Sequence, residues 1–72
     1  MLTVAKFERM RRDISVKAVS EQTGIDAARY RNFERGDRSR YLTNDELVGV
    51  SACIGVPRAM IADDRGAPLM MA

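Results

Sequence analysis

The stretch Ser15-Val16-Lys17-Ala18-Val19-Ser20-Glu21-Gln22-Thr23-Gly24-Ile25-Asp26-Ala27-Ala28-Arg29-Tyr30-Arg31-Asn32-Phe33-Glu34-Arg35-Gly36 contains two helix starts and two helix stops. At each start an apolar residue precedes a cap-forming one, and a second apolar residue follows at the fourth helical position. The sets are Ile14-Ser15 with Val19, and Ile25-Asp26 with Tyr30. In this hydrophobic staple the residue before the cap packs on the first turn and fixes the entry angle. Gly24 and Gly36 stand where the chain must leave a helix through a left-handed conformation. The spacing predicts helices over Val16–Thr23 and Ala27–Arg35, each too short to persist without tertiary packing. The glycine-containing turn Gly24-Ile25-Asp26 sets them at a steep angle, the geometry of a helix-turn-helix. Small Ser20 suits their closest approach, and Val19, Ile25, Tyr30 and Phe33 can form a shared core.

The same punctuation continues outward. Leu42-Thr43 with Leu47 is a third staple, and Glu46, three residues after Thr43, completes a capping box. Gly55 closes that helix, and Pro57 fits the first turn of another, where its missing N–H is no loss. The remaining helices are expected at Thr3–Arg12, Asp45–Ile54 and Pro57–Ala62. No segment shows strand alternation, so the fold class is all-α, a compact five-helix arrangement. The domain is expected over residues 1–66, followed by an apolar C-terminal tail over 67–72.

The predicted third helix divides by its 3.6-residue period. Tyr30 and Phe33 fall on one side, and Ala28, Arg31, Asn32 and Arg35 form the opposite stripe. Small residues at the start of this stripe let a helix backbone approach base edges, and a methyl can touch a thymine methyl. Arginine can grip the two acceptors of guanine, and asparagine can pair with the donor and acceptor of adenine. The bland alternative is a solvated face, which would more often include glutamate.

Charge placement agrees with a polyanionic partner. Residues 1–41 hold ten Lys or Arg against six Asp or Glu, a net +4, whereas residues 42–72 hold two against four, a net −2. Such asymmetry lets the basic half meet a polyanion while the other faces away. Cys53 is the single cysteine and histidine is absent, so an internal disulfide and a transition-metal site both lack partners. Flanked by Ala52 and Ile54, Cys53 reads as a small buried thiol. The pairs Asp45/Glu46 and Asp63/Asp64 have no accompanying nucleophile or metal ligand, and adjacent carboxylates on a helix point apart; they read as caps and surface groups. No enzyme is expected, no cofactor and no small-molecule ligand. No apolar run is long enough to span a bilayer, and the charged start leaves no room for a signal peptide. The expected location is therefore the cytoplasm.

From Lys6 to Ile61 the sequence resembles the Cro/repressor-type helix-turn-helix family, also called the xenobiotic-response-element or lambda-repressor-like family. The residues that carry the likeness are Ser15 to Ile25, the run Tyr30-Arg31-Asn32-Phe33-Glu34-Arg35-Gly36, and Leu47 to Val56. The family consists of five-helix, usually dimeric transcription regulators. The resemblance implies base contacts by Ala27, Ala28 and Asn32, with Arg31 beside them. It implies phosphate contacts near Ser15, Val16 and Lys17, at Arg35, and at Arg38 and Arg40 in the loop after Gly36. Arg9 and Glu34 match a structural ion pair joining the first and third helices. Two departures stand out. Val16 occupies a place where the family often has glutamine, which removes a side-chain phosphate contact, and Ser20 replaces a usual alanine.

Together these readings lead to an expectation of a homodimeric regulator that binds double-stranded DNA at a pseudo-palindromic operator, as a repressor of a phage-like or small autoregulated operon. Val56, Met60, Ile61, Leu69 and Met70 form an apolar group that could complete the core of one subunit or meet a second; both remain open. The rivals are an antitoxin-type or adaptor module that binds a protein, and an architectural or excision-type factor that bends DNA.

Overall fold

The computed structural model describes residues 2–36 and 41–71. Its helices are α1 (Val4–Arg11), α2 (Val16–Thr23), α3 (Ala27–Glu34), α4 (Asn44–Ile54) and α5 (Arg58–Ile61). Four helices begin on a side-chain cap. Thr3, Ser15, Asp26 and Thr43 each accept a hydrogen bond from a backbone N–H of the following turn. Such a cap satisfies one of the donors that a helix start leaves unpaired. Thr43 also completes its capping box, with the Glu46 carboxylate accepting from the Thr43 N–H at 2.8 Å.

The expected and observed helices agree to within one residue at every end. Helix α5 is a single turn, one residue shorter at each end than the expected Pro57–Ala62. Pro57 has φ −56° and ψ 142°, and so serves as the residue before the helix. Ala62 is extended at φ −148° and ψ 155° because it forms an antiparallel bridge with Pro68. The exit of α1 also carries no glycine. Asp13 there takes φ +56°, a left-handed value for which no glycine signal existed.

One core serves all five helices. Val19, Ile25, Tyr30, Phe33, Leu47, Val50, Ile54 and Ile61 are buried in it, with Ala5 from α1. Helix α4 is the central support and packs chiefly on α2, with α1 and α5 on its other sides. Thus α3 is held by α2 on one flank and by the core beneath it, and its outer side is left uncovered.

The C-terminal segment is stitched to the beginning of the chain. The Val4 N–H donates to the Leu69 carbonyl at 3.0 Å, the Leu69 N–H to Ile61 at 3.0 Å, and the Met71 N–H to Leu2 at 2.7 Å. Ala67 and Pro68 are buried, and Leu69 and Met70 half-buried. Of the apolar group singled out in the sequence, Val56 and Ile61 lie in the core, whereas Met60 is 54% exposed.

Gly66 closes this arrangement. At φ +89° it occupies a region that side chains disfavour, and an added Cβ would collide with the Leu42 carbonyl oxygen. Gly24, at φ +77°, has open space around it. Gly24→Ala should therefore cost only the left-handed backbone strain, about 1–2 kcal/mol. Gly66→Ala adds backbone overpacking to that strain, for a total of about 2–5 kcal/mol. Urea unfolding of the two variants checks this ordering, and equal losses would contradict it.

Candidate nucleic-acid interface

The turn between α2 and α3 is fixed by short-range hydrogen bonds. The Gly24 N–H donates to Ser20 O at 2.9 Å, and the Ser20 hydroxyl donates to Ile25 O at 2.6 Å. The Thr23 hydroxyl donates to Val19 O at 2.7 Å and accepts from the Ile25 N–H at 3.3 Å. Asp26 then caps α3, accepting from the Ala28 and Arg29 N–H groups at 3.1 and 3.3 Å. Ser20 thus contributes a hydroxyl link that its size alone did not reveal.

Beneath α3 lie Tyr30 and Phe33, both fully buried, with ring centroids 6.3 Å apart. Glu34 is buried with them and holds Arg9 in a two-pronged pair, Nε to Oε2 at 2.7 Å and Nη2 to Oε1 at 3.0 Å. A third nitrogen, Nη1, donates to Ile14 O at 2.7 Å, which ties the α1 side chain to the entrance of α2 as well. The Glu34 side chain holds the Arg9 pKa above its ordinary value, outweighing the opposing effect of burial. The Tyr30 hydroxyl lies near this pair without a well-aligned hydrogen bond. Burial first, and the Glu34 carboxylate second, hold its pKa well above the ordinary tyrosine value.

Thr3 adds a second link between α1 and α3. Its hydroxyl donates to the Glu34 carbonyl at 3.0 Å while accepting from the Lys6 N–H at 3.2 Å. The C-terminal end of α3 is therefore anchored by a charge pair and by a backbone bond.

On the outer side, Ala28, Arg31 and Arg35 are exposed, and Ala27 and Asn32 are half-buried. The Arg35 guanidinium approaches Asn32 Oδ1 at 3.4 Å, a long contact that leaves the amide nitrogen unengaged by it. Ser15 and Lys17 are exposed at the start of α2, and Val16 is half-buried between them. Arg38 and Arg40 lie outside the described residues. A half-open basin of about 210 Å3 lies beside this stripe, lined by Lys6, Arg9, Val16, Arg31, Glu34 and Arg35.

Arg29 faces away from the basin. It pairs with Glu46 and donates to the Tyr41 carbonyl at 3.1 Å, connecting α3 to the capping box of α4. Burial raises the Glu46 pKa, but the Thr43 N–H and the Arg29 guanidinium outweigh it and hold the group below the ordinary glutamate value. This link was not read from the sequence, since nothing local relates Arg29 to Glu46. Lys6 was also missed, although a signal existed. It stands three residues from Arg9 on one helix, and Arg31 and Arg35 flank Glu34 on the other, so the Arg9–Glu34 match implies their proximity.

Among the described residues, no cluster of three or more His, Cys, Asp or Glu side chains is placed to hold a metal ion. Cys53 is half-buried, and burial raises its thiol pKa. No helix among the described residues is long and apolar enough to cross a membrane. No family model matches the chain, and neither a curated protein nor a solved structure is significantly similar to it.

Because the folded Glu46 pKa is depressed, its stabilisation is complete above the unfolded value and is lost as pH falls through the folded one. The gap in melting temperature between the wild type and Glu46→Gln should therefore shrink as the pH is lowered from about 6 to about 3. A gap independent of pH would show that the carboxylate charge contributes nothing.

Proposed function

We propose that this chain is a sequence-specific double-stranded-DNA-binding regulator of the Cro/repressor type, acting as a homodimeric repressor with α3 in the major groove. The observation that carries this reading is the two-sidedness of α3. Tyr30, Phe33 and Glu34 are buried beneath it, while Ala28, Arg31 and Arg35 are exposed, with none of the described residues layered above them. A helix packed on one side only, with small residues at its start and cations along its length, suits insertion into a groove about 12 Å wide.

Roles follow from position. Ala27 and Ala28 allow close approach, Asn32 offers a bidentate partner to adenine, and Arg31 one to guanine. Ser15, Val16 and Lys17 bring backbone N–H groups and one cation to the phosphates, aided by the positive end of the α2 dipole. Arg35 lies beyond the base-facing residues and meets the backbone. Phosphate contacts of this kind set register and orientation without reading sequence.

Size supports a paired arrangement. The Cα trace spans 24 × 23 × 21 Å. Two such bodies can address half-sites about 34–36 Å apart, one helical turn of DNA, without overlap. Repression would follow from occupying a promoter. A second reading, a protein-binding adaptor or antitoxin-type module, draws on exposed Val48 and Met60, at 53% and 54%. A stable complex with another protein, together with feeble DNA binding by the isolated chain, would favour it.

Selection of bound fragments from random duplexes should return a two-fold-symmetric site. On that site Arg31→Ala or Asn32→Ala should each relax preference at one or two base pairs by about 1–3 kcal/mol. Equal loss of affinity for selected and random duplexes would contradict base reading by these side chains.

A further inference from the structure

The basin beside α3 joins residues that the sequence keeps apart. Lys6 comes from α1, Val16 from the start of α2, and Arg31 and Arg35 from successive turns of α3. Two further lining residues, Arg9 and Glu34, neutralise one another in their own pair. What remains is a concavity bordered by three cations, none of which has an ion-pair partner among the described residues. The acidic side chains elsewhere on α1 do not reach it, because Glu8 is engaged by Arg11 and Arg12. Like charges gathered without counter-charges repel one another, and this arrangement is stabilised when an anion enters.

Size narrows the anion. At about 210 Å3 the basin is smaller than the roughly 300–1,000 Å3 of pockets that enclose organic ligands. It is partly open to solvent, and Arg31 and Arg35, both exposed, are among its lining residues. A single phosphoryl group fits within this space and matches its charge. Val16 at the rim brings the amino-terminal end of α2, whose partial positive charge adds to the same field.

We infer that this basin seats one phosphodiester of the bound DNA, with Lys6 and Arg35 as its principal cations and Arg31 at the rim between the seat and the groove. Lys6 thereby becomes a phosphate-contacting residue supplied by α1, outside the helix-turn-helix. It takes on the side-chain contact that Val16 cannot make. The inference rests on the DNA-binding reading above and adds to it a third element gripping the backbone.

The test compares full-length wild type, Lys6→Ala, Lys6→Gln and Lys6→Arg on a selected duplex and a random one over a range of salt. Both neutral variants should lower the slope of log affinity against log salt by about 0.9, with equal losses on the two duplexes. Lys6→Arg should restore the slope, and melting temperatures establish that every variant is folded. In a second arm, inorganic phosphate replaces chloride at matched ionic strength. Amide resonances of Val16 and Arg35 should shift in the wild type and not in Lys6→Gln. A slope unchanged by Lys6→Gln, in a chain that does bind duplex, overturns the basin while leaving the helix-turn-helix reading intact. Phosphate shifts without any duplex binding would assign the seat to a free phosphate and overturn DNA as its source. Absence of both would remove the site altogether.

Discussion

The Arg9–Glu34 pair is the constraint on which the rest of the arrangement hangs. A carboxylate buried beneath α3 would be strongly unfavourable alone, and it is matched at both oxygens by one guanidinium from α1. Buried pairs of this sort contribute little net stability over an apolar substitute, because desolvation opposes the attraction. In the observed placement of α3 against α1, both carboxylate oxygens, the Ile14 carbonyl and the Thr3 hydroxyl are satisfied together. Removing one partner strands the other, at a typical cost of about 3–5 kcal/mol.

From that anchor the exposed face of α3 acquires a fixed direction. Tyr30 and Phe33 fill the space beneath it, the Ser20–Ile25 and Thr23–Val19 bonds set the turn, and Arg29 braces the far flank against α4. A helix of eight residues has too little intrinsic stability to hold side chains in place by itself. Here its two ends and one flank are each tied to a different element. A rigid frame of this kind limits the ordering cost of placing Arg31 and Asn32 against a partner.

Much of the fold was legible because helix ends are chemical events. Ser15, Asp26 and Thr43 announced their helices through short-range hydrogen bonds that depend on neighbouring residues alone. What stayed hidden depends on distant partners. The Ala62–Pro68 bridge joins residues that no local pattern relates, and the left-handed Asp13 has no glycine to mark it. The tail residues Leu69 and Met71 were visible as apolar, but their backbone bonds to Val4 and Leu2 could not be. At the site, the α3 stripe was readable by periodicity, since exposure of Ala28, Arg31 and Arg35 follows from burial of Tyr30 and Phe33. The basin was not, because it needs the relative placement of three helices.

The central claim is that the outward stripe of α3, set by the buried pair, is the surface that meets DNA. Nitrogen-15 amide spectra of the full chain, titrated with a short duplex carrying a selected site, test it most directly. The largest shifts are expected at Ala27, Ala28, Arg31 and Asn32, with smaller ones at Val16 and Lys17. Shifts confined to the face bearing Val48 and Met60, with α3 unmoved, would contradict it.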